Sequence, residues 1–207
     1  RHDLRRRRGF GGRILWINRG ITDPEDLSKT ERILITGIPN IGKTREAIEL
    51  AYRAVRGGLI AEDRIFEPSP ELFTADQYFL EQELNKRVDL TGPMLLLLDD
   101  LPDQFDDKER LRNLAITLRV LQKSETLYVI ATASDRYITS GHSKWLIANK
   151  FAELPMRGLN PEETALLIAG VAGVCGIQTD YDASEYLIKS GDGTPELTIF
   201  TYLRIEE

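Results

Sequence analysis

One cysteine, Cys175, stands in the 207 residues, so no internal disulfide can form and no zinc-ligand spacing exists. That usage fits a reducing compartment, and a cytoplasmic protein is expected. Histidine is as scarce: His2 and His142 are far apart, with no cysteine or carboxylate cluster beside either, so neither is expected to bind a metal. Apolar runs are short. None approaches the roughly 18 residues that cross a bilayer, so no membrane partner is expected. The opening RHDLRRRRGFGGR lacks the apolar core of a secretion signal and does not begin with Met, so a fragment of a longer chain is expected. There is no internal repeat and no low-complexity segment.

What is present is ordinary in amount and uneven in place. Hydrophobic residues make up 42% and charged residues 29%, which suits one globular domain or one domain with a small appendage. The net charge of −6 hides two regions. Arg1, Arg5, Arg6, Arg7, Arg8, Arg13 and Arg19 face Asp3 alone, so everything after them is more acidic than the total. A basic arm over residues 1–12 fits non-specific contact with nucleic-acid phosphates. A flexible arm leading out of an upstream domain explains it equally. No aromatic residue interleaves Arg5 to Arg8, as a stacking groove for single strands would need.

Along the chain, TDPEDLSKTE has the marks of a helix start, with Thr22 or Asp23 as cap and Pro24 at the first helical position. RILITG reads as a buried strand ended by Gly37. Ala47, Ile48, Ala51, Ala54 and Val55 recur at helical spacing between Lys43 and Arg56, where Gly57 and Gly58 stop the helix. A second strand is expected within LIAEDRIFE, a helix in FTADQYFLEQELNK, and strands in MLLLL, TLYVIATAS and KFAELPM. KERLRNLAITLRVLQ is amphipathic. LNPEETALLIAG carries a capping box from Asn160 to Glu163, and DASEYLIKS and PELTIFTYLR close the chain as helices. Continuously apolar strands alternating with helices predict an α/β three-layer domain with a parallel sheet, followed by a small helical subdomain.

The stretch ILITGIPNIGKTREAI decides the chemistry. Gly37, Ile38, Pro39, Asn40, Ile41, Gly42, Lys43 and Thr44 fit G-x-x-x-x-G-K-[ST], with Arg45 next. Phosphate oxygens need several donors converging on one point. A loop of small residues turns its N–H groups inward, and the following helix adds its positive end. Lys43 adds a mobile charge for the β- and γ-phosphates, and the Thr44 hydroxyl is placed to ligate Mg²⁺. A plain tight turn explains Gly42 but leaves Lys43 and Thr44 without a reason.

A nucleotide site also needs an acid at the end of another buried strand, and MLLLLDD supplies two. Asp99 is expected to hold Mg²⁺ through a water. Asp100 is expected to polarise the attacking water, or else to bond the local backbone.

GIPNIGKT, LLLLDD, YVIATASDR, FAELPMRGLNPEETALLI and GDGTPELTI, in that order, resemble the STAND class of P-loop ATPases. These are signal-transduction ATPases with NACHT and NB-ARC modules, relatives of the AAA+ proteins. The resemblance implies a polar sensor at Thr132, and Arg136 stands near where the family has its sensor arginine. It implies that the sensor strand lies between the strand of Asp99 and the strand of the phosphate loop. It also implies that Gly193, Thr194 and Pro195 form a turn whose proline packs on adenine, and that Trp16 and Arg19 line the base.

The expected organisation is a basic arm over 1–12, a P-loop core over 13–157 and a helical lid over 158–207. The expected function is ATP/ADP binding with slow hydrolysis, as the switch of a larger signalling protein in defence or regulation. Its expected partners are nucleotide, a winged helix and sensing repeats outside this chain, and further copies on activation. The alternative is an AAA+ ATPase working as a ring on nucleic acid, for which Arg136 and Arg157 are candidate arginine fingers.

Overall fold

The protein is described here from a computed structural model, for residues 23–69, 72, 76–87, 90–101, 108–135, 146, 148–176, 181–190, 193–195 and 198–199. The basic arm, Trp16, Arg19, Arg136 and His142 lie outside the described residues.

Five strands form one sheet: β1 (Arg32–Gly37), β2 (Ile65–Phe66), β3 (Met94–Leu98), β4 (Leu127–Ser134) and β5 (Ala152–Pro155). Their order across the sheet is β2-β3-β4-β1-β5, and every neighbouring pair is parallel. The central strands are buried on both faces, which is why they read as unbroken apolar runs.

Alternate residues of β1 feed two cores. Ile33 and Ile35 pack with Ile48, Leu50, Ala51 and Ala54 of helix α2 (Lys43–Arg56). On the other face Leu34 joins Leu96, Leu98, Val129 and Ala131 beneath Leu114 and Leu118. Those two leucines belong to α4 (Lys108–Leu121). The order is therefore helix, sheet, helix. Helix α1 (Pro24–Thr30) packs on α2 and β1; Asp23 is its cap, with Asp26 returning the bond in a capping box. Helix α3 (Gln77–Arg87) lies on α4 through Leu80, Leu84, Ile116 and Val120.

The expected strand in LIAEDRIFE shrinks to Ile65 and Phe66, because Glu62–Arg64 turns as a short 3-10 helix ahead of it. After β5 come α5 (Pro161–Cys175) and α6 (Tyr181–Ser190). Leu159, Leu167, Ile168, Val171, Ala172 and Leu187 bury one another there in a core separate from both faces of the sheet.

Candidate nucleotide site

The loop between β1 and α2 is shaped by backbone that only certain residues tolerate. Gly37 has φ +154, and a Cβ there would come within 3.1 Å of Ile41 Cγ2 and 3.2 Å of the Met156 carbonyl oxygen. Ile41 is fully buried in the α2-side core and pins the loop down, while Ile38, Pro39 and Asn40 are exposed. Asn40 and Gly42 both take positive φ, at 63° and 96°. Gly42 caps α2 and, having no side chain, makes no capping bond to the first N–H groups of that helix. An uncapped helix start at the end of a glycine-bounded loop suits an anion.

Lys43 curls back over this loop. Its Nζ donates to the carbonyl oxygens of Gly37 at 3.1 Å and Ile38 at 2.9 Å. Burial holds its pKa below the usual lysine value, and the nearby carboxylates of Asp100, Asp135 and Asp99 pull the other way. Three acids therefore face the ammonium from the ends of β3 and β4.

One threonine ties the Asp99 carboxylate to the backbone of Asp100. Thr132 donates its hydroxyl to Asp99 Oδ1 at 2.7 Å and accepts the Asp100 N–H at 2.8 Å. Thr44, at the first turn of α2, donates to the same Asp99 oxygen at 2.9 Å. The register explains the meeting: Leu98 lies opposite Ala131 and Ile35 opposite Thr132, so the ends of β3, β4 and β1 converge at one level. Asp100 adopts φ 53, a left-handed conformation that Asp tolerates, and its side chain is exposed.

These residues fit a magnesium nucleotide. The open start of α2 and the Lys43 ammonium suit phosphates, and the hydroxyl of Thr44 with the carboxylate of Asp99 is the oxygen-only donor set that Mg²⁺ takes. When bound, such an ion would neutralise phosphate charge. Lys43 would hold the phosphates, Asp99 and Thr44 the metal, and Asp100 would stand beside them as a base for water.

Arg45 is half-buried in the first turn of α2, and Pro195 opens a helical turn after Gly193. Arg157 is engaged by Glu163 through two bonds of 2.6 Å. Sequence reasoning missed Asp135, although an acid directly past the end of β4 was its signal. It also missed Met156, whose N–H donates to the Thr36 carbonyl at 2.7 Å and whose backbone abuts Gly37.

No protein-family model and no curated sequence matches the chain. Solved structures do. Domain III of the replication initiation protein DnaA from Thermotoga maritima aligns with a TM-score of 0.69 at 14% identity, over 96% of this chain and 87% of that one. A RuvB variant from Thermotoga maritima aligns with a TM-score of 0.65 at 17% identity, over 92% and 60%. DnaA bound to AMPPCP and single-stranded DNA aligns with a TM-score of 0.65 at 17% identity, over 99% and 66%.

The chain shares the α/β fold of these DnaA and RuvB structures. Its glycine-rich loop follows β1, and β4 lies between β1 and β3. The chain spans 60% of that RuvB chain and 66% of the AMPPCP-bound DnaA chain. Among the described residues, no helix is long and apolar enough to cross a membrane.

Proposed function

We propose that this chain is a magnesium-dependent ATP/ADP-binding ATPase domain of the AAA+ kind, acting on nucleic acid as part of a larger assembly. The observation that carries the nucleotide reading is the shared Asp99 oxygen. It accepts hydroxyls from Thr44 on the phosphate-loop helix and Thr132 on the sensor strand, beside Lys43. A solvated strand end has no use for that convergence.

In this reading residues 13–157 are the ATPase core and 158–207 the lid, with the turn at Pro195 offered to adenine and Arg19 to the base's other side. Lys43 binds phosphate, Asp99 and Thr44 the metal, Asp100 orients water and Thr132 senses the γ-phosphate. Hydrolysis is slow in the isolated chain. The nucleic-acid half rests on the neighbours: DnaA is a replication initiator seen with single-stranded DNA, and RuvB a Holliday-junction branch migration motor.

The second reading is a STAND switch, favoured by the Gly193 turn closing on Leu159 and by the capping box at Asn160, both in the order that class uses. Phosphate release measured with and without single-stranded and junction DNA separates them. Stimulation by DNA supports the AAA+ reading, and indifference to DNA with tight ADP retention supports the switch.

A further inference from the structure

Residues 156 to 159 run between the phosphate loop and the helical subdomain, touching each at one end. At the core end, Met156 is buried, bonds the Thr36 carbonyl and would collide with any side chain placed at Gly37. At the other end, the Leu159 N–H donates to the Gly193 carbonyl at 2.8 Å. Gly193 sits so close that a Cβ would lie 2.7 Å from the Leu159 carbonyl oxygen and 2.9 Å from its nitrogen. Between these fixed points stand Arg157 and Gly158, and glycine is the residue with the most backbone freedom to lose.

Arg157 removes that freedom. Its two terminal nitrogens each meet one oxygen of Glu163 at 2.6 Å, and Nη1 also donates to the Gly158 carbonyl at 2.9 Å. The short paired bonds are the forked, charge-assisted geometry that fixes orientation as well as contact. Glu163 in turn accepts the Asn160 N–H at 2.9 Å, while the Asn160 side chain accepts the Glu163 N–H at 2.8 Å. A capping box uses one carboxylate oxygen and needs no arginine. The box alone thus accounts for Glu163 and leaves Arg157 without a reason. Arg157 is half-exposed, and exposed pairs add little to stability. Orientation is what this pair supplies.

We propose that Arg157 and Glu163 are a pair of positioning residues that fix the turn at Gly193 to Pro195 relative to the phosphate loop, and so set the affinity for the adenosine part of a nucleotide. The inference rests on the nucleotide reading above. It also takes Arg157 out of the role of an arginine finger for a neighbouring subunit. The pair loses its charge when either partner is neutralised, and the hinge at Gly158 then samples other orientations. A ligand that needs both loop and lid binds only the correctly set fraction, and its apparent Kd rises by the inverse of that fraction.

The test is titration of the whole chain with ADP and with inorganic tripolyphosphate, using Arg157→Gln, Glu163→Gln, Arg157→Lys and the double Gln variant. Glutamine at 163 keeps the capping box, so the helix start survives. If about a tenth to a third of molecules keep the set orientation, ADP binding weakens about three- to tenfold. Tripolyphosphate, which needs only the loop, changes less than that, the double variant matches the singles, and Arg157→Lys recovers part of the loss. Unchanged ADP affinity in the folded variants overturns the inference alone, as does an equal loss for both ligands. A wild-type protein that binds neither ligand overturns the nucleotide reading and this inference together.

Discussion

The hydroxyl of Thr132 joins two aspartates to which the proposed function gives different work, and substitution tests that division. Thr132→Val keeps the shape and removes a donor to Asp99 and an acceptor for the Asp100 N–H. Leaving such partners without a hydrogen bond costs about 1–3 kcal/mol, to be read as a lowered urea midpoint. Asp99→Asn should weaken magnesium-dependent binding, whereas Asp100→Asn should leave ATP bound and slow its hydrolysis. Equal effects of both on binding, with none on turnover, would contradict the roles. Lys43 adds a pH test. Burial lowers its pKa in the free protein, and bound phosphates would favour its charged form. Binding then takes up a proton once pH exceeds the lowered value. Nucleotide affinity should be flat at neutral pH and fall as pH rises through a window that opens below the usual lysine pKa. The Lys43→Ala profile should lack that fall.

At the scale of elements, two glycines with nearly equal positive φ make a controlled pair. Gly58 has φ +75 with nothing near its missing Cβ, and Gly193 has φ +78 with backbone atoms at 2.7 and 2.9 Å. Alanine at Gly58 should cost only the left-handed conformation, roughly 1–2 kcal/mol. Alanine at Gly193 should cost more and weaken ADP binding beyond that of tripolyphosphate. A Gly193→Ala protein as stable as Gly58→Ala would show that the turn does not press on Leu159.

Element boundaries were legible where the residues force them. Gly37 ends β1, Gly57 and Gly58 end α2, and the Asn160 and Asp23 caps open their helices. Strand β2 was not, because a two-residue edge strand carries too few apolar positions to be told from the turn before it. The bonds around Asp99 were not legible either. Periodicity assigns a residue to a face, but only the register between β3 and β4 brings Thr132 to Asp99. Asp135 carries no part of the family pattern: it lies between Ser134 and Arg136, and Arg136 is itself off the position of the family's sensor arginine.

Across the whole molecule, the resemblance to a P-loop family predicted that the sensor strand separates the strands of Lys43 and Asp99, and the sheet order agrees. The finer STAND class is not shown by the DnaA and RuvB structures. The physical reason is that the sheet and phosphate loop are common ground. The phrases that point toward the STAND class lie after β4, in FAELPMRGLNPEETALLI and GDGTPELTI, whereas Trp16, Arg19 and Arg136 lie outside the described residues. Arg157, the described candidate for a finger, is already paired with Glu163. The isolated chain should therefore scatter light as a monomer and release phosphate slowly, because an arginine finger is typically worth about 10³–10⁵ in rate. Fast turnover in a ring formed with ATP alone would show that a catalytic cation is available from a neighbouring copy.

The central claim is that Lys43, Thr44 and Asp99 bind a magnesium nucleotide. Calorimetric titration of ATP into the wild-type chain and into Lys43→Ala, each with and without Mg²⁺, tests it most directly. One charge-assisted contact of this kind is worth roughly 2–3 kcal/mol, so Lys43→Ala should bind about 30- to 150-fold more weakly while remaining folded. Removing Mg²⁺ should weaken the wild type as well. Equal ATP affinity in wild type and folded Lys43→Ala, with no dependence on Mg²⁺, would contradict the account.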